Sequence, residues 1–288
     1  MSTVSPPLSA LAPAKVNLSL RITGRRVDGY HLLDSLVAFT DFGDRIDVSA
    51  ADRLTLTVQG PFADAVPRDE SNLVLKAAQR LAQAAGIEAR AQITLTKTLP
   101  AAGGIGGGSS DAATALRLLI QHWSLSLPSE DLNRLALALG ADVPVCLISK
   151  PCRMTGIGED LSPLPPLPRL GIVLINPGRP CETPAVFRAR FGPFSEKALA
   201  FNPGKTAQSL AEALQQEPND LTEAAMQICP SIRQVLGHLD GSPGILLSRM
   251  SGSGATCFGL YDCPDQAQKA ASDLAHPGWW VAAGGLAG

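Results

Sequence analysis

The chain has 288 residues, of which 45% are hydrophobic and 17% charged, and a formal net charge of −2. That composition suits a soluble globular protein of one large or two modest domains; without a basic stripe, and with 5% aromatic residues, it argues against nucleic acid as a partner. No apolar run reaches a membrane span, residues 1–11 lack the pattern of a signal peptide, and six cysteines and four histidines fall in neither Cys-x-x-Cys pairs nor metal-ligand spacings, so a cytoplasmic protein with reduced thiols and no structural metal is expected.

The first predicted element is a strand over residues 14–22, with Ala14, Val16, Leu18, Leu20 and Ile22 on one face and Lys15, Asn17, Ser19 and Arg21 on the other. Ser19 and Arg21 read as a polar face turned to water. Lys15 and Asn17 read equally well as that face or as a pair reaching one ligand. Strands follow at 45–49 and 54–58, then a helix at 73–85 with Ser71 or Asn72 as its N-cap and Gly86 as its stop. A strand at 93–96 leads into the most informative stretch, Pro100, Ala101, Ala102, Gly103, Gly104, Ile105, Gly106, Gly107, Gly108, Ser109 and Ser110, which opens a helix at 111–123. That helix places Ala112, Leu116, Leu119, Ile120 and Trp123 on one face.

Glycine lets backbone approach a ligand, and the first amides of a helix are unpaired and favour negative charge. A strand, a glycine loop and a helix in that order form a phosphate cradle. Gly108 is followed by Ser109 rather than Lys, so the stretch is not a P-loop, and no frame supplies the dinucleotide fingerprint. A flexible linker has the same composition, but is seldom set directly between a strand and an amphipathic helix.

Further on, a helix is expected at 130–139 with Ser129 as N-cap and Gly140 as its stop. Asp142 follows, before an apolar run, where it reads as an N-cap or as a general base beside a substrate hydroxyl. Pro163, Pro165, Pro166 and Pro168 mark a boundary between a domain at 1–161 and another at 170–288. The second begins with a strand at 170–175 and holds helices at 207–216 and 265–275 and a strand at 256–260. Residues 251–258 read as a tight hairpin connection or as a loop open to close backbone approach. Cys146 and Cys257 read as buried packing residues. Strands and helices without a regular βαβ repeat give an α+β class.

Three of these stretches, residues 13–20, the glycine loop and residues 251–258, resemble the signature motifs of the kinase superfamily that includes galactokinase, homoserine kinase, mevalonate kinase and phosphomevalonate kinase. Thr23-Gly24-Arg25-Arg26-Val27-Asp28-Gly29-Tyr30-His31, Gly140-Ala141-Asp142-Val143-Pro144-Val145 and Thr183-Pro184-Ala185-Val186-Phe187 are similar to motifs of its branch that acts on a cytidine-diphosphate-linked methylerythritol. The resemblance implies a two-domain small-molecule kinase fold with the active site in the interdomain cleft. It implies transfer of the ATP γ-phosphoryl group to the substrate's 2-hydroxyl, in isoprenoid precursor synthesis. Asp142 is then the base, Lys15 the cation beside it, and Asn17 and Thr183 hold substrate. Residues 100–110 wrap the ATP phosphates, Tyr30 and Phe187 sandwich the cytosine across the two parts of the chain, and His31 bonds its edge. Mg²⁺ is implied with ATP, with Ser110 as the candidate ligand. Another kinase of the superfamily, or a sensor that has lost turnover, are the rivals; the aromatic motif opposes the first, and retention of Lys15 and Asp142 the second. Ala102 stands where the family usually has glycine, and disfavours positive φ. Ile105 replaces a leucine, and Asp111 replaces an asparagine of some members, either of which can cap the helix.

Overall fold

The computed structural model describes residues 6–198 and 200–287; residues 1–5 of the N-terminal segment read above lie outside them. In chain order the elements are β1 (Leu8–Asn17), β2 (Arg21–Arg25), β3 (His31–Ser49), β4 (Thr55–Gln59), α1 (Leu73–Ala85), β5 (Gln92–Thr96), α2 (Gly107–His122), α3 (Ser129–Leu139), α4 (Val143–Ile148), β6 (Cys152–Gly156), β7 (Asp160–Pro163), β8 (Gly171–Asn176), α5 (Thr183–Ala189), α6 (Ala207–Gln215), α7 (Thr222–Ile228), α8 (Ser231–Asp240), β9 (Leu247–Met250), β10 (Cys257–Tyr261), α9 (Pro264–Asp273) and β11 (Trp280–Ala287). Among the described residues no helix is long and apolar enough to cross a membrane.

The chain forms two compact units that do not follow chain order. One comprises residues 6–14, 43–101 and 106–148; the other comprises 15–42, 102–105 and 149–287. The proline-rich segment at 162–169 therefore lies inside the second unit, where it begins as the end of an outer strand.

In the first unit β4 pairs with β5 in parallel and β5 pairs antiparallel with the end of β3, Arg45 opposite Thr96. Helix α1 buries Val74, Ala77, Ala78 and Leu81 and packs on α2, which packs on α4. Asn72 caps α1, its side chain accepting from the Val74 N–H at 2.8 Å. Gly86 ends the helix with φ +66°, as a left-handed stop requires. Ser129 is the first residue of α3 rather than its cap, because Pro128 takes the N-cap position with extended backbone.

In the second unit β3 pairs with β2 and β6, and β6 with β7. Strands β11, β8, β10 and β9 follow one another antiparallel, and the end of β11 reaches β3 at Leu286 opposite Thr40. Their core joins Ile22, Val173, Ile175, Leu221, Ile232, Leu239 and Tyr261.

The predicted strand at 14–22 is broken: β1 ends at Asn17 and β2 begins at Arg21. Its polar face is not turned to water. Lys15, Asn17 and Ser19 are buried, and Arg21 is held by Glu217 at 2.9 Å. Strand β3 is far longer than the predicted 45–49, because Asp34 and Ser35 inside a continuously buried run hide the alternation that marks a half-exposed strand.

Replacing Asn72 by Ala removes the α1 cap and should cost about 1 kcal/mol of unfolding free energy in a urea titration. A change within error would show that α1 does not depend on its cap.

Candidate active site

The second unit draws three distant chain segments together through their backbones. The Lys15 N–H donates to the Ile105 carbonyl at 2.9 Å, and the Thr256 N–H donates to the Gly103 carbonyl at 3.1 Å. Ser251 completes the junction: its hydroxyl accepts from the Asn17 N–H at 3.1 Å and donates to the Gly104 carbonyl at 3.0 Å. Gly104 has φ +74°, and a Cβ there would stand 2.6 Å from the Gly254 carbonyl oxygen and 2.7 Å from that of Ser251. No other residue fits that position, since both conformation and space forbid a side chain. Both readings of residues 251–258 are realised: they connect the paired strands β9 and β10, and they allow the close backbone approach at Gly104. Lys15 and Asn17 sit on this junction, with 3% and 2% of their surface exposed. The Lys15 charge reaches Cys152, where it opposes the effect of burial, which pushes that thiol up to about 11.

Ala102 adopts φ +52°, the conformation that a glycine would take without strain. The side chain disfavours this geometry, yet the backbone keeps it, at a cost of about 1–2 kcal/mol.

In the first unit the helix begins earlier than predicted, inside the glycine run. Gly106 (φ +61°) is the N-cap of α2 and Gly107 its first residue. The buried face of α2 is also broader than the predicted stripe, covering residues 110–116 on nearly all sides, with Ile120 and Trp123 only half-buried. Ser110 Oγ is buried without a hydrogen-bond partner. Asp111 is not a cap. It points back to Lys97 Nζ at 2.8 Å, and Lys97 also bonds Asp44. Asp44 further accepts from the Thr98 and Leu99 N–H groups at 2.6 and 2.8 Å. Asp44, Lys97 and Asp111 are all fully or nearly fully buried. Two carboxyls thus share one ammonium, and Asp44 holds the extra donors. Burial pushes the Asp111 carboxyl up to about 7, against the pull of Lys97 and with the push of Asp44. Lys97 is itself raised: its two carboxyl neighbours outweigh the desolvation that opposes its charge.

Asp142 lies in the same unit, immediately before α4. Its carbonyl accepts from the Cys146 N–H at 3.2 Å, so its backbone holds the N-cap position while its side chain is half-buried. Cys146 and Cys257 are buried packing residues, as their surroundings suggest.

The aromatic residues gather in the second unit. The His31 and Phe187 rings lie 5.1 Å apart, tilted by 35°, with Phe187 on α5 packed against the core. Tyr30 is 62% exposed. Residues 30, 31 and 187 all belong to one compact unit, so the aromatic pairing needs no closure across two parts of the chain, and the ring set against Phe187 is His31. Burial lowers the His31 pKa, and Arg25 and Arg190 lower it further, favouring the neutral ring that can both donate and accept. The Thr183 hydroxyl bonds the Ser253 hydroxyl at 2.7 Å, tying the start of α5 to the junction loop.

Comparison with known proteins places this arrangement. The description "GHMP kinases N terminal domain" matches residues 72–150 and "GHMP kinases C terminal" matches 197–278. The 4-diphosphocytidyl-2-C-methyl-D-erythritol kinase of Paramagnetospirillum magneticum is 54% identical over 273 residues, covering 94% of this chain and 95% of its own. The enzyme of the same name from Granulibacter bethesdensis is 50% identical over 96% of this chain and 94% of its own. The chain belongs to the 4-diphosphocytidyl-2-C-methyl-D-erythritol kinase family. A crystal structure of a 4-(cytidine 5'-diphospho)-2C-methyl-D-erythritol kinase matches 98% of this chain and 100% of its own with a TM-score of 0.79 and 36% identity. A homoserine kinase from Cytophaga hutchinsonii, 19% identical, shares the fold over 99% of this chain and 96% of its own, with a TM-score of 0.72.

GHMP kinases are ATP-dependent, and the glycine run is the feature that the sequence made plainest. Lys97 and Asp44 had no such signal. Lys97 simply follows an alternating strand and Asp44 precedes another, and nothing in their spacing says that they meet Asp111.

Asp111 generates a test. Its folded value lies above its ordinary 3.8, so the folded chain holds a proton that the unfolded chain has lost. Stability contributed in this way is full below about pH 4, declines as pH rises towards about 7, and changes no further above that. Replacing Asp111 by Asn should flatten this decline in denaturant titrations across about pH 4.5–7.5. An unchanged pH profile would mean that another group carries it.

Proposed function

We propose that the chain transfers the γ-phosphoryl group of ATP to the 2-hydroxyl of 4-diphosphocytidyl-2-C-methyl-D-erythritol. What carries this reading is identity near one half over almost the whole chain to enzymes of that name. In this reading Asp142 takes the proton of the substrate hydroxyl. The freed oxygen forms a bond to the γ-phosphorus as the bond to the ADP oxygen breaks, and ADP leaves with that electron pair. Lys15 steadies the carboxylate and the charge spread over the transferring group. Residues 100–110 receive the ATP phosphates, with the unpaired first-turn amides of α2 aimed at them. Asn17 and Thr183 hold the substrate.

The residues present suit a magnesium ion: the buried Ser110 hydroxyl has an oxygen without a partner, at the turn that takes the phosphates. Ser110 would be the protein's ligand. When bound, the ion neutralises phosphate charge.

Phe187 supplies a stacking face for the cytosine, Tyr30 covers the other face, and His31 meets the polar edge. An aromatic face binds any base, whereas an edge contact distinguishes them. The neutral state of His31 favoured by burial and by two arginines suits a base that offers both donors and acceptors.

Replacing Asp142 by Asn should lower turnover about 10²- to 10⁴-fold while ATP still binds, the range for losing a general base. Turnover within a few-fold of the parent would leave Asp142 as a helix cap only.

Gly108→Val tests the cradle better than a change at Gly107. A Cβ at Gly107 would press on Lys97 Nζ at 3.0 Å, whereas at Gly108 its nearest neighbour is Leu73 at 3.7 Å. The KM for ATP should rise about tenfold or more, and that for the cytidine substrate should hold. Unchanged ATP affinity in a folded variant would move the phosphates elsewhere.

Phe187→Ala should weaken substrate binding by about 1–3 kcal/mol, the range for losing a stacked base, and leave ATP affinity unmoved. His31→Ala should reduce discrimination between cytidine and uridine diphosphate analogues. Normal substrate affinity in the Phe187 variant would overturn the cytidine assignment and leave the kinase assignment standing.

A further inference from the structure

Beside the junction, a short chain of hydrogen bonds fixes the orientation of one amide. It begins at the Ser19 carbonyl, in the break between β1 and β2. A carbonyl oxygen can only accept, so the Ser35 hydroxyl, 2.5 Å away, must spend its one proton there. Ser35 Oγ is then left as an acceptor. The Asn17 side chain lies 2.8 Å from it and must present its NH₂ group. Turning that amide over would set two acceptors against each other with no proton between them. The Ser19 hydroxyl, which accepts from the Leu36 N–H at 3.2 Å, ties the same segment to β3. Ser19 and Ser35 are 1% and 0% exposed, so water does not compete for these bonds.

With the NH₂ committed to Ser35, the other end of the amide is determined. Asn17 Oδ1 is buried and has no hydrogen-bond partner. A Cβ at Gly252 would approach it to 3.2 Å, so the absence of a side chain there keeps the oxygen uncrowded. A buried acceptor without a donor has lost its hydration uncompensated, a loss that a ligand donor recovers on binding.

We propose that Ser35 is a positioning residue that fixes Asn17 as a hydrogen-bond acceptor for a hydroxyl of the phosphoryl-accepting substrate. This rests on the substrate reading above and deepens it. The polar group that meets Asn17 must carry a proton, which a tetritol hydroxyl does and a phosphate oxygen at neutral pH does not. Ser35 touches no substrate in this scheme; it acts by denying Asn17 its other orientation.

The test uses three analogues of the substrate, in which the 1-, 2- or 3-hydroxyl is replaced by fluorine, a group that can accept weakly and cannot donate. Their affinities are measured by calorimetry or as competitive inhibitors, on the parent protein and on Ser35→Ala. One position should lose about tenfold or more in the parent, the worth of one such bond, and that loss should shrink to within about threefold in Ser35→Ala, where the amide is free to turn its NH₂ to the fluorine. Asn17→Ala should abolish the loss at the same position. Ser35→Cys, which keeps size and only weak hydrogen bonding, serves if the alanine variant does not fold, and should show a reduced loss. A penalty in Ser35→Ala equal to the parent's overturns the proposal, as does a parent that tolerates fluorine at all three positions. Failure of the parent to bind or phosphorylate the native substrate would instead strike the substrate assignment itself.

Discussion

Everything proposed for the second unit depends on backbone meeting backbone where no side chain fits. The Gly103 and Gly104 carbonyls are met by donors from one loop, Thr256 and Ser251, and the Ile105 carbonyl by the Lys15 N–H from β1. Only a residue without Cβ permits that approach at position 104. The consequence is that the backbones of Lys15 and Asn17 are placed by hydrogen bonds to the Ile105 carbonyl and the Ser251 hydroxyl.

Buried polar atoms tell a second story. Among the described residues, the buried side-chain atoms without a hydrogen-bond partner are Asn17 Oδ1, Ser110 Oγ, Asp111 Oδ1 and Arg190 Nε. Three of them stand on the segments that carry the motifs, and the fourth belongs to the arginine whose charge is felt at His31. A fold selected for stability alone would pair or remove such groups, since each costs on the order of 1–3 kcal/mol. By contrast the buried Asp34 is fully served, by the Arg153 guanidinium and by the Ala198 N–H at 2.9 Å, and acts as structure.

How much of this could be read from the sequence varied with the range of the interaction. Helix α1 was legible to the residue because its signals are local: a 3.6-residue apolar period, Asn72 before it and Gly86 after it. The glycine loop was legible for the same reason, although its helix starts four residues sooner, since glycine is a poor helix former by propensity and only the tertiary setting holds Gly107 and Gly108 in place. The strand at 14–22 misled at Ser19, which looks like part of a wet face in one dimension, while β3 covers it in three; for Lys15 and Asn17 the sequence left both a wet face and a ligand site open. The Asp44–Lys97–Asp111 group was beyond reach. Its members are 53 and 14 residues apart, and no local pattern encodes an ion pair closed by tertiary packing. The His31–Phe187 ring pair was equally beyond reach, since it joins residues far apart in the chain.

The order in which the polypeptide leaves the ribosome bears on how the second unit can form. Strand β11, spanning Trp280–Ala287, lies between β8 and β3 in the order of pairing. Residues 15–42 are made early, yet they share a unit with strands made more than a hundred residues later. The first unit has all its parts by residue 148, so it can condense while synthesis continues. In the second, the early part of β3 can pair with β6 once residue 156 has emerged, but Phe39 and Thr40 wait for the end of β11. Its loop-closure cost falls late, and the edge of β3 that β11 finally occupies stays open in the meantime. A nascent chain of this kind stays exposed to mispairing until β11 has been made.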